Sequence, residues 1–509
     1  MNPAQSRPPR RSRALKLRGP QLAWMPLALA LGLAACSAPP VAAPVPTAPL
    51  SAGFRHGATE VADEGAWWAR FGDPILTQLV EQALAANHDV AQALARVQEA
   101  QAGQVAQASR LLPTLDLQAS ALDARSGLPA PVKQGQPDTR AARLGLNLAW
   151  EVDLAGGLHA ARDAAQADAA AATAGVAGAR LLVASEVARQ YFSARSAEQR
   201  LAIVERLVAA QRCTAELVAG HVRAGQASRF ELQRAEAEAE ALAAQAPPLR
   251  TLVGVSQSRL AVLLGANPSQ WALPAAAQAF EPTLPAIGTG APSELLQRRP
   301  DLIAAEARYA AASLRGAEAR AQWWPKLFLN ALVGREDLKL NALDLAPVRF
   351  SSVALAFSAP IFNAGRIEAG VQAQSARAEQ ALQAWQQAVL VAVQEVEDSL
   401  LLRQQDAFRG QSLQAALAHQ RGALAHGESL RREGQIDALA LLDLQRAVLA
   451  AELAVADNRL QQSLNAVQLY KALGGGFGSP AATPSTRPAL AALSNPADAR
   501  ADLTQRTQP

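Results

Sequence analysis

The second half of this 509-residue chain repeats the first. Aligning Pro113 of RLLPTLD with Pro325 of QWWPKLF sets an offset of 212 residues. The same offset pairs Asn87-His88-Asp89-Val90 with Arg299-Pro300-Asp301-Leu302, and Arg96 with Arg308. Further along, the offset becomes 209. It then pairs Gly156 with Gly365, Glu186-Val187 with Glu395-Val396, Gly225-Gln226 with Gly434-Gln435, and Leu264-Gly265 with Leu473-Gly474. Whatever fold one unit of about 200 residues takes, the other takes as well.

Within a unit the hydrophobic period changes twice. Asp89–Leu112 reads as a helix that Pro113 stops. Thr114–Asp123 then alternates, with Leu115, Leu117, Ala119 and Ala121 on one side and Asp116, Gln118 and Ser120 on the other. After a turn-rich stretch, Ala142–Trp150 alternates again. The second unit repeats this with Lys326–Gly334, a loop to Pro347, and Phe350–Ala359. An Ala-rich run without proline follows each strand pair and predicts one long helix, about Gly157 to Gly220 and about Arg366 to Glu433. Return helices run from the Gly225 turn to Leu264 and from Ile436 to Leu473. Pro247-Pro248 should kink the first of them.

Composition narrows the chemistry. Two cysteines exclude a disulfide framework, and six scattered histidines give no metal-binding pattern. Cys213 reads as a packed small hydrophobe. Trp323-Trp324, at a helix-to-strand junction, reads either as an interface anchor or as tight packing at the bend. The net charge of +4 comes from the N-terminus: Arg7, Arg10, Arg11, Arg13, Lys16 and Arg18 precede any acid. Removing those six turns Lys+Arg 48 and Asp+Glu 44 into 42 and 44, so the rest of the chain carries no nucleic-acid footprint.

That basic N-terminus leads into an apolar run, Leu22 to Ala35, which is too short to span a bilayer as a helix. Basic flank and short apolar core predict a secretory signal. The run ends Leu33-Ala34-Ala35-Cys36, which resembles a bacterial lipobox, with Cys36 as the thiol that takes diacylglycerol and acyl lipid. Ser37 after it favours the outer membrane. A Pro/Ala-rich extended tether follows.

Strands of about ten residues with one apolar and one small or polar face have the length and pattern of tilted bilayer-spanning strands. Four cannot close a barrel, and an open edge in lipid leaves backbone groups unsatisfied, so several chains must share one barrel. Helices that polar should stay out of lipid and continue the barrel as a tube of coiled coils.

WWARFGDPILTQLVEQALAANHD at 67–89, LLPTLDL at 111–117, WEVDLAGG at 150–157, LLQRRPDLIAAE at 295–306, APIFNAGR at 359–366 and EGQIDALALLDLQRA at 433–447 together resemble the TolC-like outer-membrane efflux family. They are most similar to its lipoprotein branch serving resistance-nodulation-division pumps. The resemblance implies a membrane α+β fold with two structural repeats per chain. Four transmembrane strands per protomer then join a trimeric 12-stranded barrel, continued by a periplasmic α-helical coiled-coil barrel. The expected division is a signal peptide (1–35), a lipidated tether (36–66), a first repeat (67–265), a linker or equatorial segment (266–292), a second repeat (293–474) and a C-terminal tail (475–509).

The resemblance further implies a homotrimer in outer-membrane lipid. It docks a periplasmic adaptor and an inner-membrane resistance-nodulation-division transporter, as a passive exit duct for drugs or small toxic compounds. No enzymatic step, cofactor or metal is implied. The hairpin loops near 127–138 and 335–347 should face outside, and the turns at Gly220–Ser228 and Gly427–Asp437 should form the periplasmic tip. By register with the family's constriction, Asp443 falls on an acidic ring; Ala440 stands where relatives often have a second acid. Asp437 and Glu433 are further candidates, as constriction residues or as caps and turn charges. Two other readings stay open: a channel for type I protein secretion, and a non-channel periplasmic coiled-coil scaffold. QRRPDL and the lipobox favour efflux over the first, and the four lipid-length strands oppose the second.

Overall fold

The computed structural model describes residues 50–57, 65–125, 127–129, 131, 138–275, 281–340, 343–344 and 346–476. Cys36, the signal and the C-terminal tail lie outside the described residues, as does most of the 127–138 hairpin. In chain order the elements are α1 (Pro74–Ala86), α2 (His88–Ser109), β1 (Thr114–Ala124), β2 (Thr139–Val152), α3 (Gly157–Arg223), α4 (Arg229–Ala243) and α5 (Ala246–Leu263). The second repeat contributes α6 (Leu295–Arg298), α7 (Pro300–Ala321), β3 (Lys326–Leu340), β4 (Leu343–Asp344), β5 (Val348–Ser358), α8 (Arg366–Arg432) and α9 (Ala438–Ala472). The chain divides into a strand-bearing unit (residues 103–165 and 311–378) and a helical unit (residues 45–102, 166–310 and 379 onward).

In the strand-bearing unit the sheet order is β1-β2-β3-β5, all antiparallel, with β4 folding back on the end of β3. Registers such as Leu117↔Leu146↔Val333↔Ser351 put one repeat's hairpin beside the other's. β3 is longer than the sequence reading allowed. Residues 335–340, expected in a loop, continue the strand, and Leu343–Asp344 pairs with it. The reason is visible in the side chains: Arg335, Asp337 and Lys339 are exposed while Glu336, Leu338 and Leu340 are half-buried, so period 2 survives the charges. Helix α2 ends three residues before the expected Leu112. Arg110, Leu111 and Leu112 instead donate to carbonyls three residues back, which tightens the last turn ahead of Pro113.

Each strand pair leads into its long helix through a glycine in the left-handed region, Gly156 (φ 73°) and Gly365 (φ 82°). Helices α3 and α8 are both 67 residues, roughly 100 Å each. The first return helix is not kinked but divided. α4 stops at Ala243 and α5 restarts at Ala246, with Pro247 and Pro248 in its first turn, where a missing N–H has no intrahelical partner to lose. α9, with Ala456-Asp457 at the matching place, runs unbroken for 35 residues.

The helical unit has two main cores. One joins Trp67, Phe71, Leu76 and Val80 to Val183, Val187, Tyr191 and Phe192 of α3 and to Tyr470 of α9. Trp67 stacks on Tyr470 with ring centroids 5.2 Å apart, and the Tyr191 hydroxyl donates to Asp73, 2.5 Å away. Burial and the Asp73 carboxylate both push the Tyr191 pKa far above the ordinary phenol range. The other core centres on Leu295, Leu302, Trp385, Val389 and Leu469. Leu50 and Phe54 pack against it, and the Arg55 N–H donates to Glu397 Oε1 at 2.8 Å. The end of the segment read as an extended tether is thus seated on the helices. Cys213, expected to be packed, is exposed on α3. By length and composition alone, one stretch of α3 is apolar enough to cross a membrane. Its Val183, Ala184, Val187 and Ala188 are instead packed among the other helices.

Candidate channel face and periplasmic tip

The sheet has two chemically different faces. On one lie Leu115, Leu117, Leu144, Leu146, Val353 and Leu355, all large, apolar and exposed, Val353 to 77%. Strand parity and register place Asp116, Gln118, Ser120, Arg143, Asn147 and Asn330 on the other. Three adjacent strands meet on this polar face in a close packing. Gly145 is paired with Gly334 and Gly334 with Phe350; the Phe350 ring lies over the glycines, and the Arg143 guanidinium stacks 4.2 Å from its centroid. β1 and β5 are exposed along nearly their whole length, and neither has a partner on its outer edge among the described strands.

The turns between long and return helices are built alike in both repeats. In the first, the Gly225 N–H donates to Val222 O and the Gln226 N–H to His221 O. In the second, the Gly434 N–H donates to Arg431 O and the Gln435 N–H to Leu430 O. Gly225 and Gly434 take φ of 69° and 74°, the left-handed caps that end a helix. The following helices start on Ser228 and Asp437, again 209 residues apart. Ser228 forms a reciprocal capping box with Glu231. Asp437 Oδ1 accepts only from the Ala440 N–H, at 2.8 Å, because Ala440 stands where Glu231 closes the other box. Asp437 is thus a helix cap, and Glu433 is a turn charge that accepts from Gln435.

Asp443 is 61% exposed on the second turn of α9, and its carboxylate is bound by Arg446 one turn on. Arg446 also reaches Glu238 of α4 (2.9 Å) and Gln211 of α3 (2.6 Å). Gln211 is itself buried and donates to the Ala235 carbonyl at 3.3 Å. One guanidinium therefore ties three helices just behind the tip. Sequence reasoning singled out Asp443 as a candidate but not the Arg446, Glu238 and Gln211 that the structure joins to it. The i,i+3 spacing of Asp443 and Arg446 was readable, but the two partners from the other repeat were not. Among the described residues no group of three or more His, Cys, Asp or Glu is placed to hold a metal ion.

A two-faced sheet with bare edges, whose strand pairs alternate along the chain with long helices, occurs in a known family, and the chain matches its model. The model described as "Outer membrane efflux protein" covers residues 79–266 and 291–475. The chain belongs to the outer membrane efflux protein family. It is 33% identical to the pyoverdine export outer membrane protein OpmQ of Pseudomonas putida, over 89% of this chain and 97% of the relative. It is 30% identical to the outer membrane protein OprJ of Pseudomonas aeruginosa, over 91% and 97%. Among solved structures, the outer-membrane channel OprN superposes with a TM-score of 0.76 at 29% identity, over 87% of this chain and 99% of that one. The protein is thus an outer-membrane efflux channel of the TolC-like kind. Its four spanning strands are one protomer's share of a trimeric 12-stranded barrel, and its apolar face is the lipid face.

Proposed function

We propose that this chain is the exit duct of a tripartite efflux pump, joined through a periplasmic adaptor to an inner-membrane resistance-nodulation-division transporter, for small organic compounds. The observation that carries this reading is the pair of identically built tip turns backed by the Arg446 junction. A pore that must stay shut until coupled to a partner needs helix ends that can be released together. The pyoverdine-export name of one relative supports a small organic cargo, as does QRRPDL at 297–302. The duct is passive: the energy comes from the transporter, and no residue is required to act as a catalyst or to hold a cofactor.

In this reading the tip is the closing end. Three Asp443 carboxylates, one per protomer, line the constriction, each partly neutralised by its own Arg446. Asp437, the cap of α9, sits nearly two turns nearer the tip turn. Planar-bilayer recording of the purified trimer tests this. The wild type should conduct weakly with a preference for cations. Asp443→Ala should lower that preference by about twofold or more. Arg446→Ala should raise both the cation preference and the conductance, because it bares Asp443 and Glu238 and unties α9 from α3 and α4. Unchanged selectivity in Asp443→Ala would remove Asp443 from the constriction, and a wild type that never conducts would remove the duct.

Cys36 is the anchor in the same reading, carrying diacylglycerol and acyl chains at the end of the export signal. Radiolabelled palmitate should be incorporated into the wild-type chain and absent from Cys36→Ser. Label that persists in the variant would place the lipid elsewhere.

A further inference from the structure

The lipid face changes character near the hairpin end of the strands. Its rows run across the sheet as Leu115–Leu148–Ala331–Val353, then Leu117–Leu146–Val333–Ser351, then Ala119–Leu144–Arg335–Arg349. In that last row two arginines stand directly opposite each other on neighbouring strands, on the face that otherwise meets hydrocarbon. Both side chains are exposed, and neither has a hydrogen-bond or ion-pair partner among the described residues. The nearest acids whose side chains are described do not serve them. Asp337, one row further out on the same face, bonds neither arginine; Asp123, beyond it, is taken by Arg125 and Arg140; Glu336 belongs to the opposite face. Like charges directly opposite on a sheet destabilise it unless an anion joins them.

Depth says which anion. All four strands enter their helices at the Lys326 and Ser358 end, so the hairpin end is the outer end. From Lys326 to Arg335 the strand rises roughly 30 Å, or about 23 Å along the membrane normal at a tilt of about 40°. An outer-membrane apolar band is about 25 Å tall. The arginine pair therefore sits at the outer rim of the hydrocarbon. The inner rim of the same face is marked differently, by Trp150 and the exposed Phe357. The outward face thus has an aromatic rim on the periplasmic side and a cationic one opposite.

We infer that Arg335 and Arg349 form a phosphate clamp for the phosphorylated glucosamine headgroup of lipid A in the outer leaflet. The two guanidinium forks, side by side, match a phosphomonoester, which presents several acceptor oxygens and carries more than one negative charge. Leu144 and Val333, in the same and the next inner row, would meet the first methylenes of its acyl chains. The site is repeated in each protomer and lies apart from the pore and the tip.

Native mass spectrometry of the delipidated trimer in detergent tests the clamp with three probes: bisphosphorylated lipid A, the same lipid with both phosphates removed, and phosphatidylglycerol. Wild type should hold bisphosphorylated lipid A at least about tenfold more tightly than either of the others. Arg335→Gln/Arg349→Gln should erase that preference, and Arg335→Lys/Arg349→Lys should keep part of it. Equal binding of the phosphorylated and dephosphorylated lipids by wild type overturns the clamp without any variant having to fold. Phosphatidylglycerol held as tightly as lipid A overturns the assignment to lipid A. A preference that survives in the glutamine variant places the phosphate elsewhere.

Discussion

Arg299→Ala is expected to destabilise the helical unit by about 1.5–3 kcal/mol, the scale of losing charge-assisted hydrogen bonds from a buried guanidinium to partly exposed carboxylates. Arg299 is only 7% exposed. It grips Asp301 with both ends of its fork (3.1 and 2.8 Å), pairs with Glu395 of α8 (2.7 Å) and donates to the Ala472 carbonyl at the end of α9 (3.0 Å). Truncation leaves two carboxylates and a helix-end carbonyl without their donor. Thermal unfolding of the purified trimer, followed by circular dichroism, should show the loss, and Arg299→Lys should recover only part of it, because an ammonium brings three N–H donors to four acceptor atoms spread around a planar fork. An unchanged melting temperature would mean that the network contributes nothing to stability.

The pH dependence has a definite sign. Burial opposes ionisation of Asp301, but the hydrogen bonds and charge of Arg299 outweigh it and hold the carboxyl below its ordinary 3.8. A carboxyl with a lowered folded pKa contributes stability above its unfolded pKa and loses it as pH falls through the folded one. The gap between wild type and Arg299→Ala should therefore be widest near neutrality and narrow as pH drops below about 4.

Gly334→Val is expected to abolish barrel assembly. A Cβ built on Gly334 would run into the Leu144 carbonyl oxygen, stand 2.5 Å from the Phe350 ring and 2.8 Å from the Gly145 Cα. The ring could turn away, but the two backbone atoms belong to β2, paired with β3 from Thr139 to Val152. Relief requires pulling β2 from β3, the one seam that joins the hairpins of the two repeats. In lipid each ladder bond lost leaves polar groups that water cannot satisfy. Heat-modifiable mobility on a gel and insertion into vesicles would report the outcome. Gly334→Val trimers inserting as well as wild type would mean that the seam yields more easily than its geometry implies. Phe350→Ala, which only removes the ring, should be far milder.

The duplication was legible because it is written in residue types with fixed conformational jobs. Gly156/Gly365, Gly225/Gly434 and Gly265/Gly474 all take positive φ in the structure, so their spacing in the sequence was already a spacing of chain reversals. The strands were legible because one face meets lipid and the other water, which forces period 2. Their ends were less so: charged side chains at 335, 337 and 339 look like a loop to a hydrophobicity argument but alternate like a strand.

Other features were settled by contacts distant in sequence. Asn87 and Arg299 are aligned across the repeats and look chemically unrelated. Yet the Asn87 side chain donates to the Leu263 carbonyl at 2.9 Å, as Arg299 does to Ala472, and those carbonyls are again repeat equivalents. The duplicated chain kept the tie and changed the group that makes it. Likewise Asp443 could be picked out by register, but its carboxylate meets Arg446, whose other partners lie more than two hundred residues away in sequence.

The sequence by itself determined the local devices: where helices stop, where the chain reverses, which side of each strand is greasy, and that everything occurs twice. Those follow from backbone conformational limits and periodicity, which act over a few residues. Only the tertiary structure decided which buried charge meets which carbonyl, that β2 pairs with β3 to join the repeats, and that two arginines stand together at the rim of the apolar face. Such pairings depend on register between segments far apart in the chain, and register is fixed by packing.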